Sequence, residues 1–267
     1  MSLKSILKMK KQNLTIVKIG GKLIENEERL TAFLQDFSAL EGPKILIHGG
    51  GNMATEIASK LGFPTQMVDG RRITDADSLK VIVMTYGGLI NKTIVAKLQA
   101  FETNAVGLCG ADGKSIISKK RPVKEIDYGF VGDIETVNSD FISSLLEQKI
   151  VPVFSAISAT RKGQLLNTNG DSVAAEVAKA MSSFYTTELY YCFEKKGVLE
   201  NPLDEDSVIS EIDGVKYRQL LENKIISEGM LPKLHNCFEA LKHGVNEIYL
   251  GDAHILKAGS SCTKIIK

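Results

Sequence analysis

Five stretches of this chain have the makeup of an anion site. Lys18-Ile19-Gly20-Gly21 closes an apolar run with a lysine and two glycines, and Gly49-Gly50-Gly51-Asn52 closes a second one. Asp69-Gly70-Arg71-Arg72-Ile73-Thr74 carries paired guanidinium groups, Asn167-Thr168-Asn169-Gly170-Asp171 is polar and turn-forming, and Gly229-Met230-Leu231-Pro232-Lys233 opens a late helix on a lysine. Glycines at a strand end let the backbone turn with N–H groups exposed, and the helix start beyond them presents partial positive charge to phosphate. Lys18 adds a full charge. Arginine's planar fork suits bidentate recognition of carboxylate or phosphate. The plain alternatives are a tight connection for each glycine turn, a solvated turn for the arginine pair, and helix capping for the asparagines.

Elements must bring these stretches together. Leu14 to Lys18 has the pattern of a buried strand; Leu30, Phe33, Leu34 and Phe37 carry helical spacing between Glu25 and Leu40; Gly42-Pro43 stops that helix; and Lys44 to His48 is a second buried strand. This is a βαβ unit with a right-handed crossover. A helix through Ala54, Ile57, Ala58 and Leu61 follows, so the chain twice runs strand, glycines, helix. Two adjacent parallel strands put both turns at one sheet edge, facing one crevice.

Further on, the spacing predicts a long helix from Ala76 to Phe101, kinked at Gly87-Gly88 and capped by Thr74 or Asp75. A strand is expected at Ala105–Cys109, a hairpin at Ala111-Asp112-Gly113 leading into a β-ribbon up to Val131, and a helix over Ser139–Glu147. A strand at Ile150–Phe154 and an alanine-rich helix ending near Met181 complete a first lobe. Beyond residue 181, strands at Leu189–Phe193, Asn246–Leu250 and Thr263–Ile266 and helices near Tyr217–Leu221 and after Glu228 form a smaller second one.

At 267 residues the chain has room for one large α/β domain or two modest ones. With 33 Lys+Arg against 32 Asp+Glu, bulk electrostatic binding to nucleic acid or an acidic membrane is not expected, so anion binding is local. Cys109, Cys192, Cys237 and Cys262 have no metal-ligand or redox spacing and read as buried thiols in a reducing compartment. The basic start, Met1 to Lys11, lacks the apolar core and cleavage site of a secretory signal, and no run is expected to approach a membrane span. A cytoplasmic protein is the expectation.

A Walker A loop is absent. Gly49-Gly50-Gly51-Asn52-Met53-Ala54 satisfies the loose dinucleotide pattern, with Asp69 as ribose acid, but that reading explains neither the first glycine turn nor Lys233. Lys18-Ile-Gly20-Gly21, His48-Gly-Gly-Gly51, Asp69-Gly-Arg-Arg72-Ile-Thr74, Asn167-Thr-Asn169-Gly-Asp171 and Gly229-Met-Leu-Pro-Lys233, in that order, resemble the signature motifs of the N-acetyl-L-glutamate kinase family within the amino acid kinase superfamily.

The resemblance implies a three-layer α/β/α sandwich on a mainly parallel open sheet. Residues 1–180 would form an amino-acid-substrate and dimerisation lobe, and 181–267 a nucleotide lobe. It implies transfer of the γ-phosphoryl group of ATP to the side-chain carboxylate of an N-acyl-L-glutamate, in arginine biosynthesis, by a homodimer. Lys18 and Lys233 would stabilise the travelling phosphoryl group, and Asp171 would orient them. Gly50, Gly51, Arg72, Asn167 and Asn169 would hold the amino-acid substrate. Gly20, Gly21, Glu194, Gly197, Ser227 and Gly229 would line the nucleotide. Mg²⁺ would ride on the ATP phosphates, with no protein-held metal. A carboxylate is already a nucleophile, so His48, His235, His243 and His254 are expected to be structural. Another carboxylate or carbamate kinase of the superfamily, or a non-catalytic metabolite sensor of the same fold, would share these motifs; ATP turnover on an acylated glutamate separates them.

The chain departs from the family pattern at Phe193-Glu194-Lys195-Lys196, at Glu228, at Cys262 and at Arg71, where leucine is usual. Arg71 suggests an acyl group with its own carboxylate, as in N-succinyl-glutamate, which a charge-assisted pair would favour by roughly 1–3 kcal/mol. With about a dozen residues ahead of its first strand, the chain lacks the long N-terminal helix of arginine-inhibited hexamers, so an uninhibited dimer is expected.

Overall fold

The computed structural model describes residues 11–68, 71–223, 225–226 and 230–267; Asp69, Gly70, Lys224, Ser227, Glu228 and Gly229 and the first ten residues lie outside them. In chain order the strands are β1 (Asn13–Ile19), β2 (Lys44–His48), β3 (Met67–Val68), β4 (Arg71–Arg72), β5 (Ala105–Leu108), β6 (Ile116–Lys120) and β7 (Gly132–Val137). They continue as β8 (Val151–Ser155), β9 (Ile157–Ala159), β10 (Leu165–Asn167), β11 (Thr186–Cys192), β12 (Glu211–Ile212), β13 (Glu247–Gly251) and β14 (Thr263–Ile265).

Eight of them form one sheet in the order β12-β14-β13-β11-β1-β2-β8-β5. Every neighbouring pair is parallel except β13 with β14. The central strands are apolar on both faces because both are covered, as parallel sheets require. Leu14 and Ile16 of β1 face the helices Ser139–Glu147, Gly170–Met181 and Leu231–Lys242. Val17 and Ile19 face the helices Glu27–Ser38, Gly51–Lys60 and the long helix Ala76–Ala100. The result is the expected three-layer sandwich. Phe33 and Phe37, 1% and 0% exposed, anchor the second layer, and truncating either to alanine costs about 3–5 kcal/mol. Strands β1, β2, β8 and β5 precede the expected lobe boundary and β11, β13, β14 and β12 follow it, with β1 pairing directly to β11.

Several local expectations change. Ala111-Asp112-Gly113 is not a hairpin between paired strands: a 3₁₀ turn over Asp112–Lys114 carries the chain from the main sheet into a second, four-stranded one, β10-β9-β6-β7. The Arg71-Arg72 stretch is not an open loop but β4, paired antiparallel to β3. The polar run before Asn167 contains β10, antiparallel to β9. Such short strands fall below what periodicity resolves. Asp75, not Thr74, caps the long helix, accepting from Ser78 N at 2.7 Å.

The long helix is continuous across Gly87-Gly88. Its middle residues, Val83–Ile90, are wound as π-helix, which absorbs the two glycines without a break. Contrary to the expectation that no run approaches a membrane span, this helix is, by length and composition, long and apolar enough to cross one. Its apolar side is committed to the core through Val81, Ile82, Ile90, Ile94 and Leu98.

Candidate active site

Asp171 sits in the first turn of the helix Gly170–Met181, where a carboxylate complements the helix dipole. Lys18 Nζ, from β1, lies 2.7 Å from Asp171 Oδ1; Lys233 Nζ, from the helix Leu231–Lys242, lies 2.5 Å from Oδ2. Burial alone would raise the Asp171 carboxyl, but the two ammonium charges outweigh it and hold the group well below the usual carboxylate range. Two cations share one anion, so the cluster keeps a net positive charge in a largely desolvated spot. That is a seat for a further anion.

The surroundings fit this cluster to its place. A Cβ at Gly170 would lie 3.3 Å from Lys18 Cε, so glycine there lets the lysine pass. Asn169 Oδ1 accepts from Asp171 N at 2.8 Å and Ser172 N at 3.0 Å. Its capping role is met, leaving only its amide nitrogen for a ligand. Tyr191, paired with Lys18 across the β1–β11 ladder, donates its hydroxyl to Asp171 O at 3.1 Å, and Lys233 Nζ stands 4.8 Å from the centre of the Tyr191 ring. Phe193 flanks the same ammonium at 5.9 Å. Neither aromatic was among the expected site residues, because their proximity depends on strand pairing 173 positions apart (Lys18↔Tyr191).

Both glycine turns stand at the carboxyl ends of adjacent parallel strands, as expected. They differ in detail. Gly20 N–H donates to Cys192 O at 3.1 Å, so it is already spent within the fold, and Gly21 N–H is the one that begins the helix Gly21–Glu25. Gly50 has φ +150°, a conformation reserved for glycine, and a Cβ there would lie 2.2 Å from Ile90 Cδ1 and 3.2 Å from the Tyr86 ring. Gly51 O accepts from Arg72 at 2.8 Å; the same guanidinium donates to Thr55 Oγ1 at 2.6 Å and Thr65 Oγ1 at 3.0 Å. Arg72 is 9% exposed, whereas Arg71, one residue earlier on the strand, points from the opposite face into solvent.

Asn167, at the end of β10, donates from Nδ2 to Thr74 Oγ1 at 3.0 Å, so its Oδ1 is the part left to accept. Thr74 N and O are in turn held by Tyr128 O and Phe130 N. The Arg72-Ile73-Thr74 segment, the 128–131 loop and Asn167 therefore form one wall.

On the opposite side, Glu194 is exposed and its carboxylate lies 3.7 Å from Lys22 Nζ, across from the first glycine turn. Gly197, expected to line the nucleotide, is packed against the fold. It is buried, and a Cβ there would meet Thr263 Oγ1 at 2.6 Å and Val208 at 2.7 Å. It is glycine because β14 passes close by. Ser227 and Gly229 lie outside the described residues.

Sequence comparison bears on the same residues. A family model described as the amino acid kinase family matches residues 13–252. The acetylglutamate kinase of Phocaeicola vulgatus is 52% identical over 250 residues, covering 94% of this chain and 97% of its own length. That of Bacteroides fragilis is 51% identical over 240 residues, covering 90% and 92%. Among solved structures, smu.665 from Streptococcus mutans superposes with a TM-score of 0.76 at 23% identity, over 94% of this chain and 98% of its own, which speaks for the fold alone. With matches running nearly end to end and the paired lysines, twin glycine turns and Asn-x-Asn-x-Asp segment converging on one crevice, the chain belongs to the amino acid kinase family, in its acetylglutamate kinase branch.

Proposed function

We propose that the protein transfers the γ-phosphoryl group of ATP to the side-chain carboxylate of an N-acyl-L-glutamate, forming an acyl phosphate in arginine biosynthesis. The observation that carries this reading is the Lys18–Asp171–Lys233 cluster: two cations from different parts of the chain, held by one carboxylate at the mouth of two glycine turns. Both reactants are anions, so catalysis consists of bringing two negative groups into line and offsetting their repulsion with fixed cations. Lys18 and Lys233 serve that purpose, and Asp171 keeps them apart and aimed. Gly21, Gly50 and Gly51 supply main-chain N–H groups to phosphate and substrate oxygens. Arg72 attracts the α-carboxylate, Asn167 Oδ1 accepts from the acylated N–H, and Asn169 adds its amide. Glu194 borders the nucleotide, with Ser227 and Gly229 completing that side.

ATP brings Mg²⁺ with it on its phosphates, where the ion offsets charge. Each Asp171 oxygen lies within 2.7 Å of an ammonium, so this carboxylate is engaged by the lysines rather than held open for a metal ion. The chain divides in this reading into a substrate lobe, 1–180, and a nucleotide lobe, 181–267, in a cytoplasmic homodimer. Met84 and Leu89 support the dimer: they are 54% and 53% exposed on the long helix, and five residues apart in π-helix they share one face.

The test is ADP release dependent on N-acetyl-L-glutamate, with glutamate, aspartate and carbamate as controls. Lys233→Ala is expected to lower kcat by about 100-fold or more at unchanged Tm; turnover that ignores the acylglutamate, or a Lys233→Ala enzyme of full activity, refutes the reading. A second substrate, an acyl group bearing its own carboxylate such as N-succinyl, rests on the sequence, where Arg71 stands in place of the family's usual leucine; its side chain is exposed on the strand face opposite Arg72.

A further inference from the structure

His48 ends β2 and immediately precedes the second glycine turn, fully buried. The proposed reaction has no use for its acid–base chemistry, yet both ring nitrogens are paired. Its Nδ1 lies 2.9 Å from Gly49 O, and its Nε2 lies 3.0 Å from Asn91 Nδ2, on the long helix. The Asn91 amide also donates to Val153 O at 2.9 Å, and its Oδ1 accepts from Lys92 Nζ at 3.1 Å.

The directions of these bonds are set by their ends. An ammonium only donates, so Asn91 Oδ1 is the acceptor and Nδ2 the donor; a main-chain carbonyl only accepts, so Nδ2 facing Val153 O agrees. Nε2 of His48 then has to accept, which leaves the ring proton on Nδ1, donated to Gly49 O. Burial pushes the imidazole down to about 4, with the Lys92 charge acting in the same sense and the Gly49 bond against it, so the ring is neutral at physiological pH.

We infer that His48 and Asn91 are a positioning pair for the glycine turn, one that fixes the Gly49–Gly50 peptide plane from the long helix. In a trans peptide the C=O and N–H point in opposite directions. Pinning Gly49 O towards His48 turns Gly50 N–H the other way. The remaining contacts complete the clamp: Tyr86 and Ile90 close over Gly50, and Arg72 holds Gly51 O. The inference deepens the phosphoryl-transfer reading and rests on it for the meaning of Gly50 N–H.

Two variants separate the two bonds of the ring. His48→Asn can present a donor where Nδ1 stood and cannot reach Asn91; His48→Gln reaches the Nε2 position and loses the Gly49 bond. Both leave a polar gap and are expected to lower Tm alike. His48→Gln should lower kcat by about 10- to 100-fold, while His48→Asn stays within about threefold of wild type, because small misplacements of positioned groups are amplified in rate. Equal activities in the two variants overturn the inference. ¹⁵N NMR of the unaltered protein gives an independent reading: the His48 signal, identified by its disappearance in His48→Gln, should report the Nδ1–H tautomer, and an Nε2–H tautomer overturns the proposal. The spectrum needs no substrate, so a wild-type protein inactive on every acylglutamate would defeat the functional reading and leave the tautomer result standing.

Discussion

The two glycine turns end neighbouring strands in the same sheet and look alike in sequence, yet they are held in opposite ways. The turn at Gly20-Gly21 is supported chiefly by one bond to the next strand, Gly20 N to Cys192 O, and leads into a helix of only five residues. The turn at Gly49-Gly50-Gly51 is clamped from His48, from Tyr86 and Ile90, and from Arg72, and leads into a ten-residue helix. A rigid cradle therefore faces a compliant one across the crevice. In the proposed reading the rigid one serves the amino acid, whose position sets the line of attack, and the other serves the nucleotide.

The difference can be broken outright. Gly50→Ala puts a Cβ 2.2 Å from Ile90 Cδ1 at φ +150°, and is expected to cost about 4 kcal/mol in urea unfolding. Gly21→Ala, with a Cβ 3.4 Å from the flexible Glu25 carboxylate, should stay within about 1 kcal/mol of wild type. Equal losses at the two positions would mean that the turns are not differently held.

Acid sharpens the comparison next. The unfolded chain protonates His48 near its ordinary 6.5, while the folded chain resists down to about 4, so stability falls as pH drops through that window, by about 3 kcal/mol at its limit. His48→Asn should flatten the slope of stability between pH 6.5 and 4. Asp171, held below the usual carboxylate range by its lysines, contributes stability that is lost only at lower pH, so the two effects occupy different windows.

Smaller effects follow at the arginines. Arg72→Lys keeps the charge but cannot span Thr65, Thr55 and Gly51 together, and should raise KM for the acylglutamate by about 30-fold while KM for ATP changes little. A parallel rise in both would detach Arg72 from the amino-acid side. The smallest expected change is at the exposed arginine: Arg71→Leu should shift the kcat/KM ratio of N-succinyl- to N-acetyl-L-glutamate by about tenfold towards acetyl. An unchanged ratio removes Arg71 from acyl recognition.

How much of this was legible beforehand depended on distance along the chain. The βαβ start, the shared edge of the two glycine turns and the alanine-rich helix follow from periodicity and glycine placement, because each is a local signal. The lysine cluster came through motif resemblance; nothing local to Lys18 or Lys233 says that both meet Asp171. Glycine marks close approach of any kind, and at Gly197 the neighbour within the fold is Thr263 of β14, which no local pattern shows. Tyr191 carried no local signal, and Phe193 stood out only as the start of the segment that departs from the family pattern. His48 was expected to be structural; its tie to Asn91 spans 43 residues and appears only once the long helix lies against β2.

One property of the sheet has a mechanical corollary. The strands on either side of the crevice, β1 and β11, pair without interruption from Asn13↔Thr186 to Ile19↔Cys192. The seam is seven paired residues long, so relative movement of its two sides would mean twisting a hydrogen-bonded sheet rather than swinging about a loop.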